Sequence, residues 1–247
     1  MISVTIITLN EEKNLRKSLI SIKNLADEII VVDSGSNDNT VKIAKEFGAK
    51  VFFRKFDNFA NQKNWAMSKA SNDWILSVDA DEEISNQLAD EIKVVTDGGN
   101  YNGFLIPRKN FILGKEIKYS RWSPDEHIWL WKKASGKWTG DVHEEVIVKG
   151  KVGKLKYSKL HYSHKTINQI LASNNFYSTL LSQSMYKNNI KFSIIKMFWN
   201  SSFEFSIRFF YKLGFLDGWR GFVLAYIMGI YQLTVWVKLW ELHQEKP

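Results

Sequence analysis

WILSVDAD, residues 74–81, is an apolar run that leads directly into two carboxylates one residue apart. Side chains at positions i and i+2 of an extended segment point to the same side. Asp79 and Asp81 can therefore converge just beyond the end of a strand. A hard divalent cation such as Mn²⁺ or Mg²⁺ prefers oxygen ligands and completes its shell with waters and substrate phosphates. The stretch predicts a site for a phosphate-bearing substrate; the alternative is two solvated aspartates in a turn.

Strands and helices alternate on both sides of this stretch. Apolar strands are predicted at 3–8, 28–32, 50–54 and 74–78, with helices between and after them. Strands that are apolar throughout are typical of a parallel sheet covered by helices on both faces. We therefore predict an α/β fold with a Rossmann-like, mostly parallel sheet.

Polar residues follow these predicted strands. Asn10 and Glu11 follow the first strand, and Asp33 and Ser34 follow the second, as the two aspartates of WILSVDAD follow the fourth. Ligands of open α/β sheets bind at the carboxyl ends of the strands. The pattern therefore indicates one binding edge. As alternatives, Asn10 caps the following helix, and Asp33 stabilises a turn.

The pattern changes twice along the chain. Shorter, mixed strands are predicted from about residue 101, and long helices from about residue 166. The last 57 residues carry 15 of the 35 aromatic residues. We therefore predict three regions, at 1–100, 101–165 and 166–247.

Composition limits the possible partners and compartments. The 247-residue chain has a net charge of +8 and no cysteine, which excludes disulfides and thiolate metal sites. Its first residues are typical of a strand rather than of a signal peptide, so we expect a cytoplasmic protein. A basic protein favours anionic partners such as nucleotides and anionic lipids. Nucleic acid is not an expected partner, because no nucleic-acid-binding motif is found.

Three segments carry a family resemblance: TIITLNE (5–11), EIIVVDSGSNDNT (28–40) and VDADE (78–82). In order and spacing, they resemble glycosyltransferase family 2, nucleotide-sugar enzymes with the GT-A fold. The short motifs QKN (62–64), VHE (142–144) and LDG (216–218) are similar to those of bacterial lipopolysaccharide-core glycosyltransferases. The resemblance covers residues 3–100 well, and the remainder rests on short motifs.

The resemblance implies a role for each predicted region. Residues 1–100 are expected to form the nucleotide-sugar-binding half of a GT-A domain, and residues 101–165 the acceptor-side half. A UDP-sugar donor is expected to contact residues at the strand ends and on one helix: Thr8, Asn10, Glu11, Asp33, Ser34, Lys63 and Asp79. Asp81 is expected to bind Mn²⁺ or Mg²⁺ directly, and His143 is a second candidate metal ligand. As alternatives, Lys63 is a solvated helix residue and His143 is structural.

Family 2 enzymes invert the anomeric centre, so one base on the acceptor side is sufficient. The resemblance makes Glu144, in the VHE motif, the first candidate base, and Asp125 the second. His161 and His164 are not predicted members of the site. No clear Glu-Asp pair followed by Gln-x-x-Arg-Trp is found, which argues against a polymerising synthase.

These expectations lead to one expected function and two alternatives. The protein is expected to transfer a hexose, with glucose as first choice, from a UDP-sugar to a lipopolysaccharide or lipooligosaccharide core acceptor. One rival is a family 2 transferase that acts on a lipid carrier phosphate or a protein side chain. The non-enzyme rival is a nucleotide-sugar-binding membrane scaffold with a dead site.

The region 166–247 is rich in apolar residues. No charged residue occurs in the 17 residues from Gly221 to Val237, and aromatic residues with flanking Lys and Arg are typical of interfacial helices. We expect a peripheral protein at the inner face of the cytoplasmic membrane, where it meets a lipid-linked saccharide. The alternatives are a helical hairpin packed on the catalytic domain, a homo-oligomer formed through these helices, or a true membrane span.

Overall fold

A computed structural model of the chain describes residues 1–140 and 144–244. The chain divides into two compact units. The first unit comprises Met1–Lys109 and Asp125–Tyr162, and the second comprises Asn110–Pro124 and Ser163–Pro247. Each unit has its own hydrophobic core.

The described strands are short, apart from β1, β6 and β8. They are β1 (Ile2–Thr8), β2 (Glu28–Asp33), β3 (Lys50–Phe53), β4 (Trp74–Ser77), β5 (Glu82–Glu83), β6 (Gly103–Ile112), β7 (Lys115–Ile117), β8 (Glu126–Lys132), β9 (Gly136–Thr139), β10 (Glu145–Val148), β11 (Val152–Lys154) and β12 (Lys159–Tyr162). Four of these strands, β5, β7, β9 and β12, are not predicted from the sequence.

The main sheet is mixed. Its first four strands lie in the order β3-β2-β1-β4 and all pair in parallel. β8 then pairs antiparallel with β4, and β6 pairs antiparallel with β8. The predicted α/β fold is confirmed, and the parallel part is the part whose strand ends carry the predicted acids.

Helices cover the sheet or form the second unit. They are α1 (Leu15–Ile22), α2 (Thr40–Glu46), α3 (Phe59–Ser68), α4 (Asn86–Thr96), α5 (Ile167–Lys187), α6 (Ile194–Ser206) and α7 (Trp219–Gln244). The long helices predicted from about residue 166 are present, but α6 ends at Ser206 and continues as a π-helical turn, Ile207–Tyr211. A 3₁₀ turn, Gly214–Asp217, then leads into α7.

The core of the first unit fixes the carboxyl end of β1. Leu15, Leu19 and Ile22 lie one helical turn apart on α1 and are fully buried, as are Val4 and Ile6 of β1. Burying a Leu or Ile side chain contributes about 1.5–3 kcal/mol. The loop between β1 and α1 is therefore held between two well-packed elements.

In the second unit, α7 packs against α5 and α6. The Lys238 ammonium of α7 donates hydrogen bonds to the Asn175 carbonyl and the Ser178 and Thr179 hydroxyls of α5. Within the described part of the chain, α7 is the one helix whose length and composition would allow it to cross a membrane. Core helices of soluble proteins pass the same test, and much of the inward side of α7 is buried.

Candidate functional site

The carboxyl end of β2 is a tightly hydrogen-bonded turn centred on Asp33. Its carboxylate accepts from the Thr8 hydroxyl at 3.1 Å and from the backbone N–H groups of Gly35 and Ser36 at 2.9 and 2.8 Å. The Ser34 hydroxyl accepts from the Gln62 amide at 3.0 Å. The turn-forming role considered for Asp33 is therefore present, and contact of Thr8, Asp33 and Ser34 with a nucleotide stays a prediction.

Asn10 joins the ends of β1 and β2. Its backbone is left-handed, at φ 57°, its N–H donates to the Ser36 hydroxyl at 2.8 Å, and its side-chain oxygen accepts from the Asn37 N–H at 2.9 Å. The possible cap role of Asn10 is wrong, because α1 begins five residues later, at Leu15, and Asn14 occupies the N-cap position. Asn10 instead fixes one strand-end loop to the next.

Glu11 lies close to the two aspartates of WILSVDAD. Burial raises the pKa of the Glu11 carboxyl, the Asn14 side chain opposes this, and the charges of Asp81 and Asp79 raise it further. Glu11 donates its backbone N–H to the Thr40 hydroxyl at 2.7 Å. The carboxylates of Glu11, at the end of β1, and of Asp79 and Asp81, after β4, are thus close enough to interact electrostatically.

Asp79 and Glu144 contact the same cation. The Lys63 ammonium lies 3.4 Å from Asp79 Oδ1 and donates to Glu144 Oε1 at 2.8 Å. These residues come from three separate segments of the sequence. The structure therefore brings a predicted donor-side acid, the predicted Lys63 and the predicted base together.

Lys63 is buried rather than solvated, with 5% of its surface exposed. Its ammonium lies 4.5 Å from the centre of the Trp138 ring and 5.6 Å from that of Trp129. Burial alone would lower the pKa of Lys63, but the Asp79 and Glu144 carboxylates raise it well above its usual range. Burial would likewise raise the pKa of Asp79, but Lys63 and other nearby cations lower it well below its usual range. The pair is held in its charged form.

Asp81 pairs with His161 of β12. His161 Nε2 lies 3.2 Å from Asp81 Oδ2, and the Tyr162 N–H donates to the Asp81 carbonyl at 2.9 Å. Burial lowers the pKa of His161, but the hydrogen bond and charge of Asp81 raise it overall. His161 is not one of the predicted site residues. No local signal in the sequence indicates this position, because β12 is a short, unpredicted strand that pairs with the distant β5.

A buried charge network supports the turn that carries Asp79 and Asp81. Glu82 is fully buried, and its carboxylate accepts from the Asp79 N–H at 2.9 Å, from Lys159 at 2.5 Å and from Arg108 at 3.2 Å. Lys159 also lies 3.3 Å from the centre of the Trp129 ring, and burial lowers its pKa to about 8. The network is not predicted from the sequence, because Arg108 and Lys159 are distant from Glu82 and lie outside the quoted motifs; only Glu82 belongs to one, VDADE (78–82).

Asp125, the second candidate base, is engaged with two other side chains. Its carboxylate accepts from Arg108 Nε at 2.7 Å and lies 3.1 Å from His127 Nε2. His143, the second candidate metal ligand, lies outside the described residues. The structure therefore links Glu144, but not Asp125, to the cation that contacts Asp79.

The described residues form no group of three or more His, Cys, Asp and Glu side chains that could enclose a metal ion. Mn²⁺ and Mg²⁺ do not need such a cage when substrate phosphates and waters complete the shell. Asp81 offers one carboxylate, and a ligating carboxylate is commonly oriented by a hydrogen-bonded neighbour, as His161 is placed to do. The residues therefore fit a cation that is held together with a substrate diphosphate.

Comparison with known proteins finds relatives among the glycosyltransferases. The model of glycosyl transferase family 2 matches residues 3–134. The chain is 34% identical over 254 residues to an uncharacterized glycosyltransferase of Rickettsia typhi, covering 98% of this chain and 87% of the relative. It is 24% identical over 255 residues to LpsC of Rhizobium meliloti, a lipopolysaccharide core biosynthesis glycosyltransferase, covering 99% of this chain and 94% of the relative.

A solved structure shows the same fold. The structure of S. aureus TarS 1–349 in complex with UDP-GlcNAc matches with a TM-score of 0.50 at 16% identity, covering 99% of this chain and 92% of that chain. The predicted GT-A fold is thereby confirmed. With a family model that matches more than half of its length, the protein belongs to glycosyl transferase family 2 and is a glycosyltransferase.

Proposed function

We propose that this glycosyltransferase is metal-dependent and inverting. It transfers one hexose, with glucose as first choice, from a UDP-sugar to a core sugar of lipopolysaccharide or lipooligosaccharide at the cytoplasmic face of the membrane. The observation that carries the proposal is that Asp79 and Glu144 contact one buried lysine, Lys63. Asp79 lies two residues before Asp81, the proposed metal ligand. The LpsC relative supports the acceptor class, and TarS, crystallised with UDP-GlcNAc, supports the donor class.

Each residue has a defined part in the proposed reaction. The acceptor hydroxyl oxygen attacks the anomeric carbon, the bond from that carbon to the UDP oxygen breaks, and UDP leaves with the bonding electrons. Glu144 accepts the hydroxyl proton, as a general base must when the nucleophile is a neutral alcohol. Asp79 faces the donor sugar, where a carboxylate favours positive charge at the anomeric carbon. When bound at Asp81, the divalent cation neutralises charge on the departing diphosphate.

Lys63 has a positioning role in this proposal. Its ammonium is buried against two tryptophan rings and contacts both the donor-side acid and the base. A buried cation with two carboxylate partners restricts the rotamers of both. Positioning of this kind lowers the activation barrier, because a misplacement of about 1 Å can cost about a hundredfold in rate.

The first test combines a panel of UDP-sugars with purified core lipopolysaccharide as acceptor. UDP release and saccharide transfer are measured with Mn²⁺, with Mg²⁺ and with a chelator. We expect UDP-glucose to be the preferred donor, transfer to need the cation, and an α-linked donor to give a β-linked product. Transfer only to a lipid carrier phosphate or a protein side chain would contradict the acceptor, and no turnover with any donor would indicate a binding scaffold.

The second test concerns the base. Glu144→Gln should reduce transfer by about 10²–10⁴-fold, the usual contribution of general-base catalysis, while UDP binding is retained. Asp125→Asn should have the smaller effect on the transfer rate, because the Asp125 carboxylate is already paired with Arg108 and His127. If the two variants exchange these results, Asp125 is the base.

A further inference from the structure

The second unit exposes many large apolar side chains on α6, α7 and the turns between them. On α7, Trp219, Phe222 and Tyr226 are 60%, 47% and 56% exposed. Their spacing of three and four residues places them on one stripe of the helix. On α6, Trp199 and Phe203 are 68% and 50% exposed. We call these five residues, which are exposed on two helices that pack together, the aromatic face; they are more numerous than the single apolar residues normally scattered on a surface.

The helices that carry the aromatic face are packed together. The Ser201 hydroxyl of α6 donates to the Gly229 carbonyl of α7 at 2.8 Å. The Phe222 ring lies 5.6 Å from the Phe209 ring and stacks on Tyr226 at 6.2 Å. The exposed rings therefore project from a supported surface.

The exposed charge on the segment that carries this face is positive up to Trp240, where the exposed Glu241 follows. Between residues 187 and 240 the sequence has two acidic residues, Glu204 and Asp217, and both are buried. Glu204 accepts from Arg121 at 2.9 Å and Arg208 at 2.5 Å, so its charge is neutralised internally. The Asp217 carboxylate accepts hydrogen bonds from the backbone N–H groups of residues 118 and 119.

Exposed lysines occur along the same segment. They are Lys187, Lys191, Lys196 and Lys212. Aromatic rings flanked by lysines are typical of a surface that meets lipid headgroups, since the rings enter the interface while the ammonium groups contact anionic phosphates. Two copies joined symmetrically through this surface would instead bring its lysines toward one another.

The structure also argues against a membrane span formed by α7. The Lys238 ammonium is hydrogen-bonded to α5, and the buried side of α7 includes Leu224, Val235 and Leu239. A span exposed to lipid on all sides would break these contacts. The aromatic face, in contrast, is already exposed and needs no rearrangement.

We propose that the aromatic face and its exposed lysines form a docking surface for a bilayer that contains anionic phospholipids. The bilayer is the committed occupant, because the surface offers apolar rings together with uncompensated positive charge. This proposal concerns where the protein binds and is independent of the transferase chemistry.

Vesicle flotation with the full chain tests the proposal. The probes are vesicles of phosphatidylcholine alone and of phosphatidylcholine mixed with phosphatidylglycerol. We expect flotation with the anionic vesicles only, and its loss in high salt, which screens the lysines. No flotation, or equal flotation with both vesicles at every salt concentration, would overturn the proposal.

Two sets of variants separate the rings from the charges. Trp199→Ser with Trp219→Ser, and Lys191→Gln with Lys196→Gln and Lys212→Gln, should each abolish flotation; the three lysines together are worth about a hundredfold in affinity. Phe53→Ser is the control, because Phe53 is 70% exposed but lies on β3 of the first unit. Circular dichroism confirms that each variant is folded.

A second copy of the chain is the competing occupant. Sedimentation velocity without vesicles distinguishes it. A wild-type dimer that the Trp199→Ser, Trp219→Ser variant converts to a monomer, without flotation of either protein, would assign the face to self-association and overturn membrane docking.

Discussion

Lys63 connects the two sides of the proposed catalytic site. It is a buried cation on α3, and its partners Asp79 and Glu144 follow it by 16 and 81 positions. Removing a buried cation leaves its carboxylate partners without compensation, which is a larger change than removing a surface ion pair. The identity of residue 63 should therefore affect the rate more than the binding of the donor.

Lys63→Met tests this role. We expect kcat to fall by about a hundredfold with a smaller change in KM for the UDP-sugar, because the acids remain but lose their orientation. Lys63→Arg should restore part of kcat, since a guanidinium can contact both carboxylates. Steady-state kinetics with varied donor and acceptor provides both constants.

Lys69→Met is the matched control. Lys69 follows the same helix, and its ammonium also lies 4.5 Å from the centre of a tryptophan ring, that of Trp65, but Lys69 is exposed. Its kcat should stay within about twofold of the wild type, as expected of a surface substitution. Equal losses in Lys63→Met and Lys69→Met would indicate a general packing defect instead of a positioning role.

At the scale of elements, Glu28 fastens the amino ends of neighbouring strands. Its buried carboxylate accepts from the Ser3 hydroxyl on β1 at 2.5 Å, from Lys50 on β3 at 2.6 Å and from the Ser71 N–H at 2.8 Å. Burial raises the pKa of Glu28, but these hydrogen bonds outweigh burial and lower it from 4.5 to about 2. The parallel part of the sheet is thus tied at the end opposite the site.

The pH dependence of stability follows from that shift. Because the folded-state pKa lies below 4.5, the stabilisation by Glu28 is fully present above pH 4.5 and is lost as the pH falls toward 2. At about 1.4 kcal/mol for each pKa unit, it amounts to about 3 kcal/mol. Glu28→Gln should flatten the fall in unfolding free energy over this range, measured by urea titration.

An exposed pair provides the comparison. Glu46→Gln removes the partner of Arg16 at a site where both side chains are largely solvated, and it should cost less than about 1 kcal/mol at neutral pH. An acid-side slope that is the same in the wild type and in Glu28→Gln would show that Glu28 does not carry this dependence.

The 3₁₀ turn packs closely against the first turns of α7. Gly221 lies in the first turns of α7, and an added Cβ would lie 1.8 Å from the Gly214 carbonyl oxygen. Ala is normally favoured over Gly in a helix by about 1 kcal/mol. Gly221→Ala should nevertheless lower the melting temperature, whereas Gly98→Ala, with nothing within 4 Å of the new Cβ, should not. An unchanged melting temperature in Gly221→Ala would mean that the turn and α7 can separate.

The elements differ in how well the sequence predicts them. Apolar runs and helical spacing are local, so β1 to β4 and α1 to α4 are found within a few residues of their ends. β5 and β12 are short and pair with each other, Leu160 with Glu83 and His161 with Glu82. Such strands exist because of tertiary pairing, which no local pattern records.

In the site, too, some features follow from local sequence and others depend on contacts between distant residues. The strand-end positions of Asp33, Asp79 and Asp81 follow from local pattern, and the resemblance supplied Lys63 and Glu144. The cluster of Glu82, Arg108 and Lys159 could not be predicted, because a buried charge becomes acceptable only when distant partners neutralise it. Long-range pairing of this kind is visible only in the folded chain.

For the whole molecule, each of the two units has a distinct composition and a distinct proposed task. The first unit contains the sheet, the acids and the buried lysines, and its parallel strand ends carry the proposed chemistry. The second unit contains the aromatic face and exposed lysines proposed to bind the bilayer. The net charge of +8 suits anionic ligands in both cases, although charge alone does not identify either ligand.

Asp81 is proposed to bind a cation that in turn binds the diphosphate of the donor. Calorimetric titration of UDP, with and without Mn²⁺, into the wild type, Asp81→Asn and the control Asp90→Asn measures this directly; Asp90 is an exposed aspartate on α4. We predict that Mn²⁺ strengthens UDP binding to the wild type and to Asp90→Asn. In the presence of Mn²⁺, Asp81→Asn should bind UDP about a hundredfold more weakly than the wild type does. Mn²⁺-dependent UDP binding of equal strength in all three proteins would contradict the claim.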